Sequence, residues 1–157
     1  MVYIAPGPTP SVRIQDAAAD LQAALVELID LSLQAKQLHW NVTGADFKQL
    51  HEMLDELAGE YRDWSDMVAE RQAALGQAPD GRVGTVARES AIEALPAGRV
   101  ADRDVIHILY DRLSGVAARM RERMDRLGDS DLVSQDVLIE VVRGLEKQRW
   151  MVEVQRS

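Results

Sequence analysis

The chain has 157 residues, enough for one domain with a sizeable core; 46 % of them are hydrophobic and only 4 % aromatic. It contains no cysteine, which excludes disulfides, zinc–thiolate centres and thiol catalysis. A formal net charge of −8, from 26 acids against 18 bases, disfavours nucleic acid and anionic membranes and favours cations.

Residues 1–13 carry Pro6, Gly7, Pro8 and Pro10 and read as a flexible arm ahead of one bundle domain over 14–157. The opening has neither a basic n-region nor an apolar h-region, so no secretory signal is expected. No apolar run approaches the roughly 20 residues that span a bilayer. The expected location is the cytoplasm, with nucleoid association left open.

Leu21, Leu25, Leu28, Leu31, Ala35 and Leu38 recur at three- and four-residue steps. They predict a helix from about Gln15 to Trp40, ended by Asn41-Val42-Thr43-Gly44. A second helix is expected from Asp46, where Asp46 and Gln49 suit a capping box, with Leu50, Leu54, Leu57, Tyr61, Trp64 and Val68 inside. Gly76 to Gly81 end it. A long connection to Ala101 follows, in which Thr85 to Leu95 suits a short fifth helix. A third long helix is expected from Asp102 to Leu127, stopped by Gly128, and a fourth from Asp131 to near the C-terminus. Two short connections make two antiparallel pairs. The long central crossover makes the whole an all-α, ferritin-like four-helix bundle.

The second helix carries two i, i+4 pairs, His51 with Asp55 and Asp66 with Glu70. With Leu50 at zero and about 100° per residue, they fall at about 100°, 140°, 160° and 200°. They share one face, and it is not the core face. There is no Glu-x-x-His, so a metal site inside one bundle is not expected. Asp55 and Asp66 lie about 16 Å apart along a helix and cannot hold one metal within a single chain. If two copies pack antiparallel about a two-fold axis, the first pair of one meets the second pair of the other, twice. His39, one short turn away, adds a second imidazole. Two imidazoles with three carboxylates suit iron, manganese or zinc. The alternative is a solvated acidic face with a structural histidine; two pairs in register weigh against it.

The block Lys36-Gln37-Leu38-His39-Trp40-Asn41-Val42-Thr43-Gly44, then Phe47, Leu50-His51-Glu52-Met53-Leu54-Asp55-Glu56 and Asp66-Met67-Val68-Ala69-Glu70-Arg71, resembles the Dps family of mini-ferritins. Leu145 to Trp150 is similar to that family's last helix. The resemblance implies a hollow homododecamer with an intersubunit ferroxidase centre. His39, His51 and Asp55 would come from one subunit, Asp66 and Glu70 from its two-fold mate. Fe(II) would be oxidised to Fe(III), preferentially by hydrogen peroxide, with dioxygen as the other oxidant, and stored as ferric mineral. Zinc or manganese would substitute at the site.

Trp40, beside His39, is a candidate radical quencher, or else a packing residue. Glu52, Glu56 and Asp63 fall at about 200–240° and are candidates for mineral nucleation, or else solvated acids. Asp129, Asp131 and Asp136 are candidates for a three-fold iron-entry pore by resemblance, or else complement the start of a helix. His107 matches no motif and reads as structural. Many family members bind DNA through a basic tail. Here residues 1–13 hold no Lys and only Arg13, so DNA binding is expected to be weak or absent. A structural zinc bundle is disfavoured, because such sites are four-coordinate and usually rich in cysteine.

Overall fold

Ser11 starts the first helix. Its hydroxyl accepts the Ile14 N–H at 3.4 Å, and α1 (Val12–Asn41) begins earlier than the expected Gln15. The computed structural model describes residues 11–156; the proline-rich stretch read as an arm lies mostly outside them. After α1 come β1 (Val42–Thr43), α2 (Phe47–Ala74), α3 (Val83–Glu89), β2 (Val100–Ala101), α4 (Asp102–Ser130) and α5 (Leu132–Glu153). The all-helical bundle is as read from the periodicity. Among the described residues, no helix is long and apolar enough to cross a membrane.

α1 packs mainly on α2 and α4 mainly on α5, which makes two helical hairpins joined side by side. Leu21, Leu28, Leu54, Leu113, Leu138 and Leu145 are fully buried between them. Each such leucine stabilises the fold by about 1.5–3 kcal/mol. Gly144 lets α5 approach α2, since a Cβ there would sit 2.3 Å from the Trp64 ring.

Several local expectations are corrected. The capping box at Asp46 does not form: the Asp46 side chain caps nothing, and its own N–H donates to Asp102 Oδ2 at 3.1 Å. The Asp102 carboxylate outcompetes Gln49 because α4 starts beside the turn. α4 does not stop at Gly128 but runs to Ser130. Gln135 of α5 lies over that glycine and donates to the Met124 carbonyl at 3.2 Å, holding the last turns in place of the expected break. The fifth helix is shorter and earlier than Thr85 to Leu95, spanning only Val83–Glu89.

β1 and β2 were not foreseen. They are two-residue strands in a parallel ladder, Val42 with Val100 and Thr43 with Ala101. The ladder fixes the end of α1 beside the start of α4, so residues 75–99 must cross the full length of the bundle. That crossover is fastened on the way. Gln22 donates to the Asp80 carbonyl at 2.8 Å and accepts the Asp80 N–H at 2.9 Å, and the Ser90 hydroxyl donates to Asp30.

One polar cluster inside the bundle had no sequence signal. Glu27, 1 % exposed, accepts from Arg119 Nε and Arg123 Nη1, both at 2.5 Å. It ties α1 to α4. Glu27→Ala leaves the buried Arg123 uncompensated and is expected to cost about 3–5 kcal/mol, read by urea unfolding. A loss under about 1 kcal/mol would show that the arginines reach water instead.

Candidate metal centre

The α1–α2 turn is short because Gly44 adopts φ +132°, a region side chains rarely enter; a Cβ there would also meet the Asp102 carboxylate at 2.1 Å. This turn brings His39, on the last full turn of α1, onto His51, in the second turn of α2. Their rings stack with centroids 3.7 Å apart at 18°. Phe47 stacks on the outer side of His51 at 5.1 Å.

The two imidazoles are locked reciprocally. His39 Nδ1 lies 2.7 Å from the His51 carbonyl oxygen, and His51 Nδ1 lies 2.9 Å from the His39 carbonyl oxygen. A carbonyl only accepts, so both Nδ1 atoms carry protons. When neutral, each ring therefore keeps its free lone pair on Nε2, as a metal ligand needs. His39 is buried and His51 half-buried, so neither ring is free to swing.

Asp55 follows one turn after His51 and is exposed. It pairs with Lys36 Nζ at 2.6 Å. The Lys36 hydrogen bond and charge hold its carboxyl below the usual carboxylate range, with smaller contributions from His39 and His51. Lys36 also lies 5.7 Å from the Trp40 ring centroid. Trp40 itself is 67 % exposed, so within one chain it is not a core packing residue.

Asp66 and Glu70 are exposed on α2, three to four turns beyond Asp55. His39, His51 and Asp55 thus gather at one end of α2, and Asp66 and Glu70 lie toward the other. Among the described residues of one chain, no three His, Asp or Glu side chains converge to hold a metal.

The remaining candidates are scattered. Glu52 is exposed, with Lys48 Nζ at 3.8 Å; Glu56 and Asp63 are also exposed on α2. Asp129 and Asp136 are exposed near the α4–α5 junction. Asp131 is the N-cap of α5: its carboxylate accepts from the Ser134 N–H at 3.2 Å and from Arg71 at 2.6 Å. Burial opposes its ionisation, but the Ser134 and Arg71 hydrogen bonds outweigh it and the carboxyl is held low. Sequence reasoning gave no role to Lys36 or Phe47. The signal for Lys36 was its place one turn before Trp40 and three residues before His39, which puts it on the ligand side.

Helices, turn and histidine pair together define a ferritin-like subunit, and the comparisons agree. The Ferritin family, described as a ferritin-like domain, matches residues 18–156. The DNA protection during starvation protein of Mycolicibacterium smegmatis is 36 % identical over 140 residues, covering 89 % of this chain and 76 % of that protein. Dps92 of Deinococcus radiodurans superposes with a TM-score of 0.90 at 32 % identity, over 92 % of this chain and 87 % of that one. A Dps of Microbacterium arborescens, solved in a high iron form, superposes with a TM-score of 0.86 at 33 % identity, over 94 % and 98 % of the two chains. The chain belongs to the Dps family.

The Asp55–Lys36 pair makes a pH prediction. Because the folded carboxyl titrates below its ordinary 3.8, the pair is fully formed above that pH and is lost as pH falls through the lowered value. Lys36→Met is expected to move the Asp55 midpoint upward toward the ordinary range, followed by carboxyl-carbon NMR. An unmoved midpoint would show that Lys36 does not hold Asp55 in solution.

Proposed function

We infer that this chain is a ferroxidase and iron-storage subunit that oxidises Fe(II) at a site shared between two copies and stores ferric mineral inside a homododecameric cage. The observation that carries the reading is the reciprocal His39–His51 lock beside Asp55, on a helix face outside the core. It presents two oriented imidazoles and a carboxylate and leaves room for ligands from elsewhere. Asp66 and Glu70 of a two-fold mate complete the set. The solved high iron form of the Microbacterium relative supports iron as the cargo.

In this reading the carboxylates favour Fe(III) over Fe(II) by charge, and the imidazoles fill further positions. An incoming cation displaces the Lys36 ammonium from Asp55, with the neighbouring Trp40 ring as a surface for the displaced charge. Two irons give up one electron each and hydrogen peroxide takes both, becoming two hydroxide equivalents. No hydroxyl radical is released. Hydrogen peroxide is the preferred oxidant and dioxygen the second. The exposed Trp40 is placed to quench a stray one-electron oxidation. Glu52, Glu56 and Asp63 seed mineral, and Asp129 and Asp136 line iron entry. Asp131, tied to Arg71 and Ser134, is the least available of the three pore candidates. The protein works in the cytoplasm.

The test adds Fe(II) anaerobically to the metal-free protein, then peroxide, and follows ferric absorbance. His51→Ala with Asp55→Ala is expected to slow ferric formation by about tenfold or more, since loss of even a supporting group at a metal site costs about that much. Circular dichroism and sedimentation of the variant check that fold and assembly survive. Wild-type oxidation no faster than buffer, or an unchanged rate in an intact variant, would overturn the reading.

DNA binding is weak or absent in the same reading. Each copy of the chain adds a net charge of −8, and residues 1–13 contribute one cation, Arg13. No gel shift of duplex DNA is expected at about 150 mM salt, because phosphate neutralisation needs clustered cations. A shift that persists there would sink this part.

A further inference from the structure

The ferroxidase reading leaves one charged cluster unused, where the start of α4 meets the end of α5. Arg103, His107 and Tyr110 lie at i, i+4 and i+7 and so share a face of α4. From α5, the Arg149 guanidinium lies 5.8 Å from the Tyr110 ring centroid, and that of Arg156, just beyond the helix, lies 4.0 Å from it. Beside this ring is a cleft of about 360 Å³ lined by Arg103, Ile106, His107, Gln155 and Arg156. Ile106 is buried and forms its apolar floor. Every polar side chain that lines the cleft can donate a hydrogen bond, and none is a carboxylate. His107, read from the sequence as structural, is exposed at its rim.

What marks the cluster is that several cations without an ion pair among the described residues gather around one ring and one cleft. Lys36, Lys48, Arg71, Arg82, Arg112 and Arg126 are among the cations that pair with acids. Among the described residues, Arg103, His107, Arg149 and Arg156 join no ion pair, although acids are close in sequence. Asp104 and Asp111 lie on the adjacent face of α4 and do not line the cleft. Glu153, four residues from Arg149, makes no bridge to it.

A solvated basic face would let each arginine wander. Here the Arg156 guanidinium lies over the Tyr110 ring, 4.0 Å from its centroid, and this cation–π contact restricts where its N–H groups can point. The donors are thus partly oriented before any ligand arrives. Two guanidiniums and an imidazole around a small cleft match a tetrahedral dianion, which arginine binds through paired N–H donors. A groove for a nucleic-acid backbone would need a stripe of cations instead, and the flanking acids of α4 interrupt any such stripe.

We propose that the cleft formed by Arg103, His107, Gln155 and Arg156 binds phosphate, free or as a small phosphomonoester. The proposal is independent of the ferroxidase site, which lies on α1 and α2.

The test is equilibrium dialysis of inorganic phosphate against the assembled metal-free protein in low-salt buffer, so that mineral cannot take up phosphate. Saturable binding near one phosphate per chain is expected. Arg103→Gln with Arg156→Gln should weaken it by about tenfold or more, the scale of losing charge-assisted hydrogen bonds. Tyr110→Leu, which removes the stacking surface and keeps every cation, should weaken it less. Lys48→Gln, an exposed cation on α2, should leave it unchanged. Non-saturable binding, or equal loss in Lys48→Gln, would overturn the proposal by showing general charge attraction. A parallel arm replaces phosphate with a short duplex DNA. Binding of the duplex through Arg103 and Arg156 without binding of free phosphate would also overturn it and assign the cleft to a polymer.

Discussion

The turn at Gly44 is the constraint on which the candidate centre rests. A left-handed backbone at this one position lets α1 reverse into α2 within a few residues, and the space a Cβ would fill is taken by the Asp102 carboxylate. The same carboxylate accepts the Asp46 N–H, and the neighbouring Val42–Val100 ladder clamps the turn from the other side. Three elements therefore meet at one corner of the bundle. The stacking of His39 on His51 follows from that corner, because two rings on different helices are held 3.7 Å apart only if the helices cannot splay. Each ring then fixes the other's tautomer through the other's backbone, so the pair is oriented without a carboxylate being spent on the task.

The fold was legible because helical periodicity is a local signal. The Leu50, Leu54, Leu57, Tyr61 and Val68 stripe is buried as the wheel places it, and His51, Asp55, Asp66 and Glu70 lie off it. The features that escaped depend on pairs far apart in sequence. Glu27 with Arg123, Asp46 with Asp102 and Val42 with Val100 carry no mark in any short window. Gly128 misled for a related reason: a lone glycine stops a helix only if nothing holds the exposed carbonyls, and Gln135 holds one. The Lys36–Asp55 pair, between neighbouring helices, had no local mark, since Lys36 stood only within the resembling block and nothing in the spacing shows that it touches Asp55.

Charge is distributed with a purpose that the net value conceals. Most of the arginines that cross between helices are matched to acids, as Arg71 is to Asp131 and Arg126 to Asp20. The exposed acids of α2, by contrast, are largely unmatched, and they flank the histidine pair. A cation approaching that face meets largely uncompensated negative charge, opposed locally by the Lys36 ammonium beside Asp55 and by Lys48 near Glu52. Lys36 thus gives the candidate centre an internal counter-ion, which spares Asp55 from standing unpaired.

The crossover between α2 and α4 has a consequence for how the chain reaches this state. Each helical hairpin is built from contacts close along the chain, and such contacts form early because little loop entropy opposes them. The crossover joins the hairpins, and its fastenings at Asp80, Ser90 and Val100 pair residues nearly sixty positions apart. Closing that strap costs more loop-closure entropy than forming either hairpin. It is also the step that brings Asp102 against Gly44. Until the strap is shut, the two histidines belong to a hairpin that is already helical but not yet cornered. The order of assembly therefore makes the geometry of the candidate centre one of the last things the folding chain acquires, after the core that supports it.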